Sequence, residues 1–547
     1  MASIAATRYM AVAGVFAASL AWFSLGVEQS GIASVYADPV SHIASQDEAV
    51  YGREAIEMVT DGHWLTPTYL GRYVLNKPPL LQWLTGVSIG VFGVSAWALR
   101  VPSLVAAALV AALVFWLVWR FHSSLVAAAC AVLLLASSHL FYVFARLAMT
   151  DMLLTLWLVA AMCALARDPA LGRASSFWMF SGCTGAAIMT KGAAGFLPLI
   201  ALAIHAALAP RDSRPRPARL VAVCAAAAAL ALPWHAYQLV AHPRWFVAEY
   251  ILTQHLAVGV TAPPQYSNEN HLVFYARRLF LTDPVLGIAG ALSLASSLLM
   301  KTRQRSVVLA WTAAVVAGLF AFRFRSGSYL LPLIPLLAVL SAELIAMLPR
   351  RGRAAALAVL VVCMVVKVVS GSPVWAIPAG VASQRPSAAG LNSYCGQQRS
   401  NELILVEPDD EFYSSDLPLP RVRYCWIAPE LPAETQSPPL DFGWLGISTT
   451  VPQFNQLETW RPIFRSRLKY FDLESDEAVA TAIRPHSVAE VKQLIEAHPE
   501  ADFSLSETLL RSLGVTSPHR IVPAGYGRVF LLAPASGTYA ATRPCRL

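Results

Sequence analysis

"YMAVAGVFAASLAWFSLGV", Tyr9 to Val27, decides how the rest of the chain is read. Cleaved as a leader, it would precede an exported soluble protein. Retained, it is the first membrane helix. It is longer than the apolar part of a signal peptide, about 7–15 residues, and only Arg8 flanks it closely on the N-terminal side. The chain is 56% hydrophobic and 14% charged over 547 residues, with a mean hydropathy of +0.53. Many more apolar runs follow, so the stretch is read as a retained helix.

Runs long enough to span recur at 97–119, 124–143, 151–166, 175–190, 193–209, 218–236, 285–300, 307–321, 329–348 and 354–372. Leu80 to Ala96 is apolar but broken by Gly86, Gly90 and Gly93. The expected fold is a polytopic α-helical membrane protein of roughly 11–13 spans. Its basic loops alternate: "RFHSS" (120–124), "RDPALGR" (167–173), "RDSRPRPAR" (211–219), "KTRQR" (301–305) and "RRGR" (350–353). An excess of Lys and Arg marks the cytoplasmic side. That puts the N-terminus inside. Loop 28–79, the 144–151 turn, the turn at Lys191, loop 237–284 and everything after 372 lie outside. Most of the net charge of +8 is therefore topology signal. No Lys/Arg run with interleaved aromatics suits nucleic acid.

After Ser372 the apolar runs stop and Pro, Ser, Asp and Glu rise. Residues 1–372 are read as the membrane domain and 373–547 as an extracytoplasmic α/β domain. "NELILVEP" (401–408) reads as a buried strand and "GRVFLLAPA" (527–535) as a last strand. "SVAEVKQLIEAHPE" (487–500) reads as an amphipathic helix with Ser487 and Glu490 as a capping box. Five of eight cysteines sit in apolar runs and read as small core residues. A disulfide such as Cys395–Cys425 fits an oxidising compartment, and Cys545 is the third polar-region cysteine.

The charged residues of the outer loops are the candidates for chemistry. In "SQDEAVYGREAIEM" (45–58), Gly52, Ala55 and Ile56 share a helical face with Val59. The expectation is an amphipathic helix along the outer surface, with Asp47 and Glu48 at its N-terminal entrance. Alone, Asp47 reads as a cap. Three neighbours argue for more. Lys77 precedes Pro78 and Pro79 at a membrane re-entry point, where an ammonium suits a lipid phosphate as well as ordinary snorkelling. Arg146 and Asp151 open a helix on the same side. "RFRSGSYLLPLIP" (323–335) brings Arg323, Arg325 and Tyr329 there, against the basic-inside pattern.

In this order, these residues resemble the polyprenyl-phosphate-dependent glycosyltransferases of the GT-C fold, the group of the protein O-mannosyltransferases. That group carries an Asp-Glu pair (here Asp47-Glu48), then G-x-W-x-x-P ("GHWLTP", 62–67) and K-P-P-L-x-x-W ("KPPLLQW", 77–83). It also carries R-x-x-x-x-D (Arg146 to Asp151). The subgroup most resembled is the lipid A 4-amino-4-deoxy-L-arabinose transferases. The membrane half carries the likeness and the C-terminal domain carries little. Family members commonly have an acid just before the "KPP" lysine; here it is Asn76.

The resemblance implies an inverting transfer of the amino-sugar from undecaprenyl phosphate to a lipid A phosphate. The setting is the periplasmic face of the bacterial inner membrane, by a monomer, as in lipopolysaccharide modification and polymyxin resistance. It implies Asp47 as the essential catalytic residue with Glu48 and Asp151 in support. Lys77, Arg323, Arg325, Tyr329 and Arg146 would face the donor phosphate. The chemistry requires no cofactor; a divalent metal, zinc or magnesium, would draw on His255 (or His271) with Glu48 or Asp47. The enzyme alternative is a protein O-mannosyltransferase-like or other polyprenyl-phosphate sugar transferase. The non-enzyme alternative is a lipid or sugar transporter, which predicts charges deep in the spans and internal repeats.

Overall fold

The computed structural model describes residues 2–25, 27, 46–69, 72–257, 270–299, 305–369, 394, 397, 399–400, 402–407, 421–426, 439–442, 447–450, 488–514, 518–525 and 528–534. Among these, five helical stretches are long and apolar enough to cross a membrane: Ala96–His122, Thr150–Arg167, Ala174–Leu208, Pro217–Ala241 and Gly327–Met347. Leu125–Ser137 and His139–Ala145 make a sixth, bent by 72°. Tyr9–Ser24, Leu80–Phe92, Pro284–Ala295 and Arg305–Ala321 are apolar but shorter. The chain is a multi-pass membrane protein. Helices Ala2–Ser24, Pro284–Leu299, Arg305–Ala321 and Arg350–Val369 stand at further apolar runs read from hydropathy, as expected of a polytopic helical fold.

The stretch Ala174–Leu208 is not one straight rod. Its 35 residues would make about 52 Å of continuous helix. Instead the α-helix stops at Lys191 and Gly192 takes φ 50°. Gly195 then packs so closely that a Cβ there would stand 2.3 Å from the Ile188 backbone. Only glycine permits that approach. The turn expected at Lys191 is therefore present, and it places a lysine where two apolar arms meet.

The helix carrying the Asp-Glu pair is Gln46–Asp61. It does not lie along the outer surface. From Val50 to Met58 every described side chain is buried, Arg53, Glu54 and Glu57 included. Its polar face is turned into the protein, where partners replace water. Arg53 donates to Glu57 at 3.2 Å and Thr68 donates to Glu57 at 2.7 Å. Gln82 donates to Glu54 at 2.5 Å. The helical pattern is as expected; the face assigned to solvent is not, because its charged groups find hydrogen-bond partners inside the protein.

In the C-terminal region, strands β1 (Glu402–Glu407), β2 (Arg421–Trp426), β3 (Asp502–Ser506), β4 (Arg520–Gly525) and β5 (Arg528–Leu532) form a five-stranded sheet of order β2-β1-β3-β5-β4. Strand β1 pairs in parallel with β2 and β3, and β5 runs antiparallel to β3 and β4. Helix Val488–Ala497 buries Val491 and Ile495 in a core with Ile404, Val406, Phe503 and Leu531. The strands expected at 401–408 and 527–535 and the helix at 487–500 are all found. Ser487, the 372/373 boundary, Cys395 and Cys545 lie outside the described residues.

Candidate active site

The loop leading to Lys77 is fastened at each step. Trp234 and Gln238 of helix Pro217–Ala241 donate to the Leu65 carbonyl at 2.8 and 2.6 Å. Trp83 donates to the Trp64 carbonyl at 2.6 Å, which joins the "GHWLTP" and "KPPLLQW" motifs directly. Strands Thr68–Tyr69 and Arg72–Tyr73 form a short hairpin. The Leu75 backbone N–H then donates to Glu249 at 2.7 Å. Pro78 and Pro79 follow, with the helix starting at Leu80. Proline fixes φ and cannot donate, so Lys77 stands on a stretch with little freedom.

A second lysine meets it. Lys191, at the end of helix Ala174–Lys191, pairs with the Asp151 carboxylate at 2.7 Å. Asp151 lies in the first turn of helix Thr150–Arg167. Further along, Trp157 donates to Thr190 at 3.1 Å, which ties the middle of helix Thr150–Arg167 to the end of helix Ala174–Lys191. The Lys191 ammonium lies 5.0 Å from the centre of the Tyr329 ring, a cation–π approach. Lys77, Asp151, Lys191 and Tyr329 line one cavity of about 240 Å³ with Asn76 and His255. The remainder of its wall is largely apolar, with Leu154, Leu197, Ile200, Val315, Leu319 and Phe322. Two cations at the end of an apolar pocket suit an anion carried on a hydrocarbon chain.

Burial is what tunes Lys77. It lowers the ammonium to about 8; Lys191 pushes the same way, while Asp47, Asp151 and Glu54 resist. Asp47 has an exposed side chain, yet protein surrounds it, as for a group facing an internal opening. That enclosure raises its carboxyl above the ordinary value; Lys77 draws it back, Asp151 raises it and Lys191 lowers it. Asp47, Lys77, Asp151 and Lys191 thus form one electrostatic unit.

Other candidates are placed differently. Glu48 is fully buried and holds Arg100 with both oxygens, at 2.8 and 2.9 Å. It also accepts from the Ala148 N–H at 2.9 Å. It thereby clamps the start of its helix to Arg100 and to the Ala148 backbone. Arg146 donates to the carbonyls of Phe23 and Leu25, and Arg100 donates to that of Val27 at 2.6 Å. The two arginines satisfy carbonyls at the end of the first apolar helix, which its own backbone leaves open. Arg146 is not among the described residues lining the cavity. Arg323 is exposed and Arg325 buried; neither is among the described residues lining the cavity.

The metal expectation finds no ligand set. His255 gives one ring nitrogen, Nδ1, to the Tyr250 carbonyl, and its Nε2 accepts from the Ala193 N–H at 3.1 Å. Glu48 is filled by Arg100. Among the described residues no three His, Cys, Asp or Glu side chains are grouped to hold a metal. His271 is turned to the Phe322 carbonyl at 2.9 Å. As placed, these residues do not fit a metal.

Lys191 was absent from the site expected on sequence. Its signal was present: a lysine alone on an outer turn, followed by "GAAG", against the basic-inside pattern.

Comparison with known proteins follows the same lines. Residues 34–244 match the family model described as dolichyl-phosphate-mannose-protein mannosyltransferase. The solved structure of ArnT from Cupriavidus metallidurans bound to undecaprenyl phosphate superposes with a TM-score of 0.68 at 16% identity. The match covers 96% of this chain and 99% of that one. The chain has the ArnT-type GT-C fold. ArnT-type likeness also appears among curated sequences. An undecaprenyl phosphate-alpha-4-amino-4-deoxy-L-arabinose arabinosyl transferase of Edwardsiella ictaluri is 34% identical over 28% of this chain and 29% of its own length. One of that name from Aeromonas salmonicida is 28% identical over 56% of this chain and 57% of its own. The chain therefore matches less than two thirds of the length of either relative.

Proposed function

We propose that the protein is an inverting glycosyltransferase. It moves 4-amino-4-deoxy-L-arabinose from undecaprenyl phosphate to a phosphate of lipid A at the outer face of the inner membrane. The observation that carries this reading is the convergence of Lys77 and Lys191 on one apolar-walled cavity beside Asp47 and Asp151. The shared fold with an undecaprenyl-phosphate-bound ArnT and the names of the curated relatives support the choice of carrier and sugar.

The step balances without a proton. An oxygen of the acceptor phosphate forms a bond to the sugar C1. The bond from C1 to the donor phosphate oxygen breaks, and its electron pair leaves on that phosphate. The leaving group needs charge stabilisation, and preorganised cations in a water-poor site provide it most effectively. Lys77 and Lys191 fill that role, with Asp151 and the Tyr329 ring fixing where Lys191 sits. An ionised acceptor phosphate needs no strong base. Asp47 holds the acceptor end or the ammonium of the amino-sugar.

The test is mass spectrometry of lipid A from cells with and without the protein, with Asp47→Asn at equal expression. A gain of one amino-pentose, absent in the variant, is the expected result. Unmodified lipid A alongside turnover of a labelled polyprenyl-phosphate sugar would move the acceptor to another molecule and overturn the lipid A assignment.

A further inference from the structure

His255 lines the cavity and also grips the backbone of the turn that carries Lys191. It stands on Phe246–Ala257, a segment wound as a π-helix. The π-winding puts residues five apart above one another. That is why His255 Nδ1 meets the Tyr250 carbonyl and the two rings lie 4.4 Å apart, edge to face. Nδ1 is then the protonated nitrogen, and Nε2 is left as an acceptor aimed at the Ala193 N–H, 3.1 Å away. Ala193 is two residues from Lys191. The residue between them, Gly192, has φ 50°, and a Cβ on it would stand 2.7 Å from His255 Nε2 and 2.8 Å from the Tyr250 hydroxyl. Tyr250 is itself held by His235 at 2.9 Å and by stacking on Phe246 at 4.9 Å. The turn that carries Lys191 is thus pressed between its own helix end and a rigid aromatic wall.

We infer that His255 is a positioning residue: its Nε2 fixes the Lys191–Gly192–Ala193 turn so that the Lys191 ammonium faces the donor phosphate. This rests on the reading of Lys191 as a phosphate-binding cation. The alternative is that His255 only packs. The two differ in coupling. A positioning residue acts through Lys191, so its loss costs little once Lys191 is gone; a packing residue costs the same in either background.

The experiment measures binding of undecaprenyl phosphate in detergent to the full-length protein. The variants are His255→Ala, His255→Gln, Lys191→Ala and the double His255→Ala/Lys191→Ala. Glutamine can present an acceptor near the place of Nε2. His255→Ala is expected to weaken binding about tenfold and His255→Gln to recover most of it. In the Lys191→Ala background, His255→Ala is expected to change binding by less than about twofold. Equal weakening in both backgrounds, or wild-type affinity in His255→Ala, overturns the positioning role. Failure of the wild-type protein to bind the lipid phosphate overturns the functional reading itself. If His255→Ala does not fold, His255→Gln and His255→Leu, which cannot accept a hydrogen bond, are compared with and without Lys191→Ala: a loss in His255→Leu that vanishes in the Lys191→Ala background supports the positioning role, and an equal loss in both overturns it.

Discussion

The Lys191 ammonium and the Asp151 carboxylate meet at 2.7 Å, from the end of one helix to the start of another, with both side chains largely buried. Forty residues separate them in sequence. A buried ion pair of this kind is weak evidence for stability, since desolvation offsets much of the attraction. Its value lies in placement: the carboxylate holds the ammonium in one position in an apolar cavity.

Lys191→Ala should therefore lower transfer by about a hundredfold or more, the loss seen when one preorganised stabiliser of a developing anion is removed. Asp151→Asn should reduce transfer as well, because the ammonium then lacks its fixed partner. Rates with a radiolabelled polyprenyl-phosphate sugar check both. Wild-type rates in Lys191→Ala would remove it from the site.

Asp47→Asn keeps shape and removes charge. Transfer is expected to be abolished while the protein inserts and purifies normally, and while undecaprenyl phosphate still binds. Binding is the discriminating measurement: a parallel loss of lipid affinity would place Asp47 on the donor phosphate side instead of the acceptor or amino-sugar side.

Much of this site was legible in the sequence because membrane topology sorts charges. The basic-loop pattern assigns Asp47, Lys77, Asp151 and Tyr329 to one side, and the structure brings them to one place. What stayed hidden depended on packing. Lys191 became a site residue only when Gly192 and Gly195 turned it toward Asp151. Glu48 and Arg146 share motifs with residues grouped around the cavity, yet they pair with Arg100 and the end of the first helix. Neighbours in sequence point to different faces of a helix, and no local pattern says which face finds substrate and which finds an arginine.

The Glu48–Arg100 clamp gives a contrasting prediction. It joins helix Gln46–Asp61, helix Ala96–His122, the Val27 carbonyl and the Ala148 N–H. Glu48→Gln leaves a fully buried guanidinium without its carboxylate, at a cost of about 3–5 kcal/mol. A clear fall in the thermal midpoint in detergent is expected. If Glu48 were a second catalytic acid, activity would fall with the midpoint unchanged.

Lys77 carries a pH signature. Burial first, and then Lys191, bring its ammonium to about 8. A cation with a lowered value is charged below it and neutral above it, so roughly nine-tenths of Lys77 is charged at pH 7 and about one-tenth at pH 9. The second ionisation of a phosphate monoester lies near 6, so the lipid phosphate does not change charge over this interval. Affinity for undecaprenyl phosphate should hold from pH 6.5 to 7.5 and fall as pH passes about 8. Bound phosphate itself favours the charged lysine, so the fall should begin later at saturating lipid. Lys77→Arg supplies the control, because a guanidinium stays charged throughout. Its affinity at pH 7 is expected to be lower, since Arg does not reproduce the geometry of Lys, but the loss between pH 8 and 9 should shrink or disappear. An unchanged alkaline loss in Lys77→Arg would show that another group, not Lys77, titrates in this window.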